Sequence, residues 1–114
     1  MIDAYAYGGQ KCSAQSILFI HENWSKAGIL PRLKELASRR TLQDLTITPN
    51  LTVTNETFFA HVKSLLRIPG AKLLFGGDLI ENHSIPSCYG SFKPTAVQVF
   101  LLSFFHSILA TICF

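Results

Sequence analysis

Apolar residues in this chain gather in short segments of two kinds that alternate along it. Ile17-Leu18-Phe19-Ile20 is an uninterrupted apolar run with two β-branched members, closed by the polar His21-Glu22-Asn23, and it predicts a buried strand. From Asn23, a candidate N-cap, the period changes to that of a helix. Leu30, Leu33, Leu36 and Ala37 fall on one stripe, Arg32, Lys34, Glu35 and Arg39 face outward, and Pro31 starts or kinks the firm part. Residues 42–53 form a link around Pro49-Asn50. Thr54 or Asn55 then caps a second helix whose Phe58, Phe59, Val62, Leu65 and Leu66 share a face until Pro69-Gly70 stops it. Ala71–Phe75 predicts a second strand, closed by Gly76-Gly77, and Pro94–Val99 a third after a long polar loop. Strands separated by helices predict an α/β fold with a mostly parallel sheet.

Composition narrows the class without changing that picture. A chain of 114 residues, 48% hydrophobic and 15% charged, has enough apolar surface for one globular domain and too much for a disordered polymer. The net charge of +3 is scattered, and Arg39-Arg40 is the one adjacent basic pair, so no nucleic-acid face is expected. Cysteines at 12, 88 and 113 are too few and too far apart for a disulfide framework or a zinc ligand set, and a reducing compartment is expected. Met1–Tyr5 has neither the basic nor the apolar region of a secretory leader. The four Asn-x-Ser/Thr triplets at Asn23, Asn50, Asn55 and Asn82 therefore carry no weight.

Most chemistry-bearing residues read as structural. Gly76-Gly77 fits a tight turn needing positive φ better than a phosphate cradle, which requires a glycine-rich loop opening a helix. His83 and Cys88 supply two donors in a polar loop, short of a metal site. His21, His61 and His106 stand alone as surface or half-buried residues.

Cys12 differs, because Gly9-Gln10-Lys11-Cys12-Ser13-Ala14 sets a thiol just after a Gly-Gln turn and just before an apolar strand, where it can be presented to a carbonyl. These residues resemble the active-site cysteine segment of the aldehyde dehydrogenase superfamily. Gly70-Ala71-Lys72-Leu73-Leu74-Phe75-Gly76-Gly77 is similar to a later strand and Gly-Gly turn of that family, and Pro94-Thr95 to the entrance of its next strand. The strings Cys12–Ser16, His21–Lys26, Leu33–Ala37 and Asn82–Ser87 look most like the plant branch that oxidises glutamate γ-semialdehyde to glutamate with NAD in mitochondrial proline catabolism. The resemblance runs from about Asp3 to Val97. It implies a partial catalytic domain with Cys12 as nucleophile. The thiolate adds to the aldehyde carbon, the tetrahedral oxyanion is held by hydrogen-bond donors including the Cys12 N–H, and hydride loss to NAD leaves a thioester for hydrolysis.

The sequence also departs from that family. Eleven residues precede Cys12, so the asparagine of the oxyanion hole, the glutamate base and the dinucleotide-binding domain, which the family places upstream, are not among them. After Val99 the family's Glu-Ile-Phe-Gly-Pro gives way to Phe100-Leu101-Leu102-Ser103, and Thr48-Pro49 stands where the family has Gly-Pro, a substitution that strains any turn needing positive φ. With one oxyanion donor and the general base each worth on the order of 100-fold or more, these residues alone are expected to be inactive.

The resulting expectation is a partial aldehyde dehydrogenase catalytic domain over 1–99 and an apolar tail over 100–114 without family resemblance. Residues 96–114 are uncharged and just long enough to cross a hydrocarbon core, yet they carry a central histidine and lack flanking basic residues beyond Lys93, so membrane contact is the less favoured reading. The implied partners are an aldehyde substrate and, as an alternative class of function, a full-length homologue or another copy on which a non-enzymatic chain would dock. Location in the mitochondrial matrix is the family expectation; without a transit peptide, the fragment itself is placed in the cytoplasm or left unassigned.

Overall fold

The computed structural model describes residues 2–100 and 106–112. A four-residue helix, α1 (Ile2–Tyr5), runs into a 3-10 turn over Ala6–Gly9. The expected first strand is β1 (Leu18–His21), and the helical stretch after it is split into α2 (Glu22–Lys26) and α3 (Ile29–Ser38). The split lies at Gly28, whose φ of 89° is left-handed and interrupts the helical hydrogen bonding. Asn23 does not cap. Its own N–H is instead received by Nδ1 of His21 at 3.1 Å, so α2 starts one residue before it. Pro31 sits in the first turn of α3, where its missing N–H leaves no helical bond unmade.

The second helix, α4 (Asn55–Leu66), follows the predicted pattern. The Thr54 hydroxyl accepts the Thr57 N–H at 3.2 Å as the N-cap, and Phe58 and Val62 are buried. Three further strands follow among the described residues: β2 (Lys72–Phe75), β3 (Thr95–Phe100) and β4 (His106–Ile112).

The α/β class is as expected; the parallel sheet is not. The order is β1-β4-β3-β2, and every ladder among the described residues is antiparallel. Two connections explain the correction. Parallel neighbours need a crossover of a dozen or more residues, usually helical. Residues 76–94 hold no helix and return the chain beside β2, and only residues 101–105 separate β3 from β4. The helices that suggested crossovers lie between β1 and β2, and these strands are opposite edges of the sheet, not neighbours. β4 also falls in the stretch weighed as a membrane segment. No helix among the described residues is long and apolar enough to span a bilayer.

Helices cover both faces of the sheet. Ile20, Leu33 and Ala96 form one buried cluster, joined by Leu18, Ile29, Leu30, Leu74 and Phe75, so α3 packs over β1, β3 and β2. On the other face Phe58, Val62 and Val97 form a second cluster with Val53, Leu65, Ala71, Phe92 and Val99. Adjacent residues Ala96 and Val97 are both fully buried because successive β3 side chains enter opposite clusters. Phe58 stacks on Phe92 with centroids 4.1 Å apart and planes 5° from parallel. Beyond the reach of α4, Ile17 and Phe19 remain 53% and 69% exposed.

Candidate functional site

The segment carrying Cys12 is shaped by backbone that only a few residue types adopt. Tyr7, Gly8 and Gly9 have φ of 55°, 63° and 74°, and this left-handed run reverses the chain after α1. Gln10 closes the reversal. Its N–H and its side-chain Nε2 both donate to the Tyr7 carbonyl, at 3.2 and 2.8 Å. The same amide reaches across the fold, Nε2 donating to the Pro49 carbonyl at 3.0 Å and Oε1 accepting the Leu51 N–H at 2.8 Å. Asn50, 2% exposed, completes the joint by donating from Nδ2 to the Gly8 carbonyl at 3.2 Å.

Asn50 is itself tied down on three sides. Its Oδ1 accepts the N–H groups of Thr52 and Val53 at 3.2 and 2.9 Å, and its backbone exchanges two hydrogen bonds with Gly90 at 2.8 and 2.7 Å. A Cβ at Gly90 would lie 2.5 Å from the Val53 carbonyl oxygen, so only glycine permits this approach. The importance of Asn50 was missed in the sequence, where it registered only as a link residue beside Pro49 and as part of a glycosylation triplet. No local pattern signals a side chain whose partners lie some forty residues away. Asn55 is bound as firmly, its Oδ1 accepting the Ser91 N–H at 2.8 Å.

Past Gln10 the chain makes a second turn, the Ala14 N–H donating to the Lys11 carbonyl at 3.1 Å. Cys12 is the second residue of that turn and is exposed. Cys12 thus lies on the surface, six residues ahead of the start of β1. The role is a separate matter: no group of three or more His, Cys, Asp or Glu residues gathers among the described residues. Cys88, in the loop before Gly90, is also exposed and equally free. His83 is occupied locally, its Nδ1 accepting the Ile85 N–H at 3.0 Å.

The other two family-like segments meet at one point. Gly76 and Gly77 have φ of 74° and 84°, as expected of a turn. The Gly77 N–H donates to Oγ1 of Thr95 at 2.9 Å, and that hydroxyl donates to the Lys93 carbonyl at 2.8 Å. From the amino-terminal side, Tyr5 donates its phenol to the Thr95 carbonyl at 3.1 Å. The Gly-Gly turn is thus closed on Thr95 and leads into extended chain, not a helix N-terminus. It does not fit the pyrophosphate of a dinucleotide, and no other described loop supplies a glycine-rich helix start. Thr48 does not take positive φ, so its replacement of glycine leaves the turn unstrained. Its hydroxyl is buried without a partner beside the 3-10 turn.

A cleft of about 460 Å³ opens between the end of α3, residues 40–47 and the exit of β2, lined by Ala37, Ile47, Phe75 and Ile80 with Arg40 and Lys93 at its polar margin. Cys12 does not line it.

Over 97 residues the chain is similar to proteins named as aldehyde dehydrogenases. Those residues are 66% identical to a probable aldehyde dehydrogenase of Linum usitatissimum and 64% identical to the mitochondrial delta-1-pyrroline-5-carboxylate dehydrogenase 12A1 of Arabidopsis thaliana. Each match takes in 85% of this chain but only 18% and 17% of the relative. No family model matches the chain.

Proposed function

We propose that this chain is the cysteine-bearing part of an NAD-dependent aldehyde dehydrogenase catalytic domain, that residues 1–99 carry the family fold, and that Cys12 is its nucleophile. The supporting observation is the 64–66% identity over 97 residues to two enzymes of that class, one of them named for delta-1-pyrroline-5-carboxylate. The substrate assigned on that basis is glutamate γ-semialdehyde, the open form of that compound, and the location is the mitochondrion, for which that relative is named. Cys12 would attack the aldehyde carbon through its sulfur, and the Cys12 N–H, in the turn that follows the joint made by Gln10 and Asn50, would donate to the oxygen that gains charge.

The chain by itself does not turn over. NAD supplies the hydride acceptor of the family reaction, and no described loop cradles it. The resemblance places the family's general base and the asparagine of the oxyanion hole upstream of the cysteine, outside the matched residues, and each is worth on the order of 100-fold or more.

Two measurements test this reading. Purified chain with NAD and glutamate semialdehyde should give no steady NADH formation; sustained turnover would refute the inactivity. Replacing the matched segment of the Arabidopsis enzyme by this chain's 97 residues should retain aldehyde oxidation, and Cys12→Ser in that chimera should lower kcat by at least 1000-fold. A chimera whose Cys12→Ser form stays active would remove Cys12 from the nucleophile's role.

A further inference from the structure

The strand that follows the Cys12 turn is held to the sheet by one neighbour. β1 is an edge strand, and its Leu18, Phe19, Ile20 and His21 lie opposite Leu109, Ile108, Ser107 and His106 of β4. On the far side of β4, Thr95 through Phe100 of β3 lie opposite Ile112 through Ser107. Because β1 and β3 both run antiparallel to β4, they point the same way, with a slot one strand wide between them.

That slot has to be filled. Leu18 and Ile20 pack into the α3 cluster, which fixes β1 in place, and the backbone groups on its inner side then need partners. The inner edge of β3, whose side chains are buried from Thr95 to Gln98, has the same need. Residues 106–112 answer both. They lie beyond Val97, the approximate end of the resemblance read from the sequence.

We infer that the space between β1 and β3 is an acceptor for one extended segment, filled in cis by residues 106–112 acting as a complementing strand, and that the same segment supplied in trans can take its place. The occupant is this chain's own sequence. It enters antiparallel to both neighbours, and the β1 ladder depends on it.

The test uses the full chain. Leu109→Pro removes a ladder N–H from the centre of β4 and should empty the slot. A fluorescent peptide carrying residues 106–112 between solubilising lysines should then bind this variant saturably, at least 10-fold tighter than it binds the unaltered chain or than a scrambled peptide binds the variant. Equal binding to both chains, or no binding while the amides of α4 and β2 stay protected from exchange, overturns the inference. Should the variant unfold altogether, amide exchange in the unaltered chain decides. The β1 and β4 amides should open together at a common rate; β1 amides that stay protected while β4 exchanges freely would sink the proposal.

Discussion

The phenol of Tyr5 donates a hydrogen bond to the carbonyl of Thr95, joining residues 90 apart in the sequence at 3.1 Å. Both are buried, at 5% and 1% exposure. This contact ties the segment leading to Cys12 to the start of β3, where the Gly76-Gly77 turn also converges.

Tyr5→Phe keeps the ring against Phe75, with centroids 6.3 Å apart, and removes only the hydroxyl. Loss of that donor in a buried position should cost about 1–2 kcal/mol. A fall in the urea midpoint at unchanged slope would show it, and an unshifted midpoint would mean that water replaces the phenol.

Two glycines with similar φ should respond differently to alanine. At Gly76, φ 74°, a Cβ would stand 2.2 Å from the Pro94 carbonyl oxygen and 2.8 Å from the Thr95 Cα, so backbone must move. At Gly28, φ 89°, nothing lies within 4 Å. Gly28→Ala should cost about 1–2 kcal/mol, the strain of a left-handed alanine, while Gly76→Ala adds the clash and should lose most of the folded population. Similar thermal midpoints for the two variants would contradict this ordering.

Phe58 is fully buried and stacked on Phe92. Phe58→Ala should destabilise by about 3–5 kcal/mol and Phe58→Leu by much less, because leucine refills most of the volume. Denaturant unfolding followed by circular dichroism measures both, and near-equal losses would point to the ring stack as the dominant contribution.

Acid should loosen residues 41–46 before the rest. The Thr46 hydroxyl and N–H both donate to Oδ1 of Asp44, at 2.6 and 3.1 Å, and chiefly the hydroxyl bond lowers that carboxyl to about 2. A folded-state value below the unfolded one of about 3.9 makes the contribution complete above about pH 4 and lost as pH falls towards 2. Exchange of the Thr46 amide, followed from pH 5 to 2, should accelerate through that window after correction for intrinsic rates. In Asp44→Asn the step should vanish.

The sequence was legible wherever one segment carried its own signal. The apolar run at Ile17–Ile20 became β1 within a residue, Thr54 capped α4 through its hydroxyl, and Gly76-Gly77 took the positive φ their pairing implied. The exposed turn at Cys12 was readable for the same reason, since a Gly-Gln pair and a following strand are local facts. Asn50 was illegible because its work is done on Gly8 and Gly90, and strand direction was misjudged because helices between β1 and β2 say nothing about which strands end up adjacent.

By itself the sequence determined the class of fold, the positions of α3, α4 and the first three strands, and the resemblance of its cysteine segment, all consequences of side-chain period and local backbone preference. Only the tertiary structure decided that residues 106–112 lie between β1 and β3, that the sheet is antiparallel throughout, and that Gln10, Asn50 and Thr95 lock the Cys12 segment to the body of the fold. The reason is that a strand's partner is chosen by which unpaired backbone edges meet in space once the helices are packed. That choice is a property of the whole chain, and no window of residues contains it.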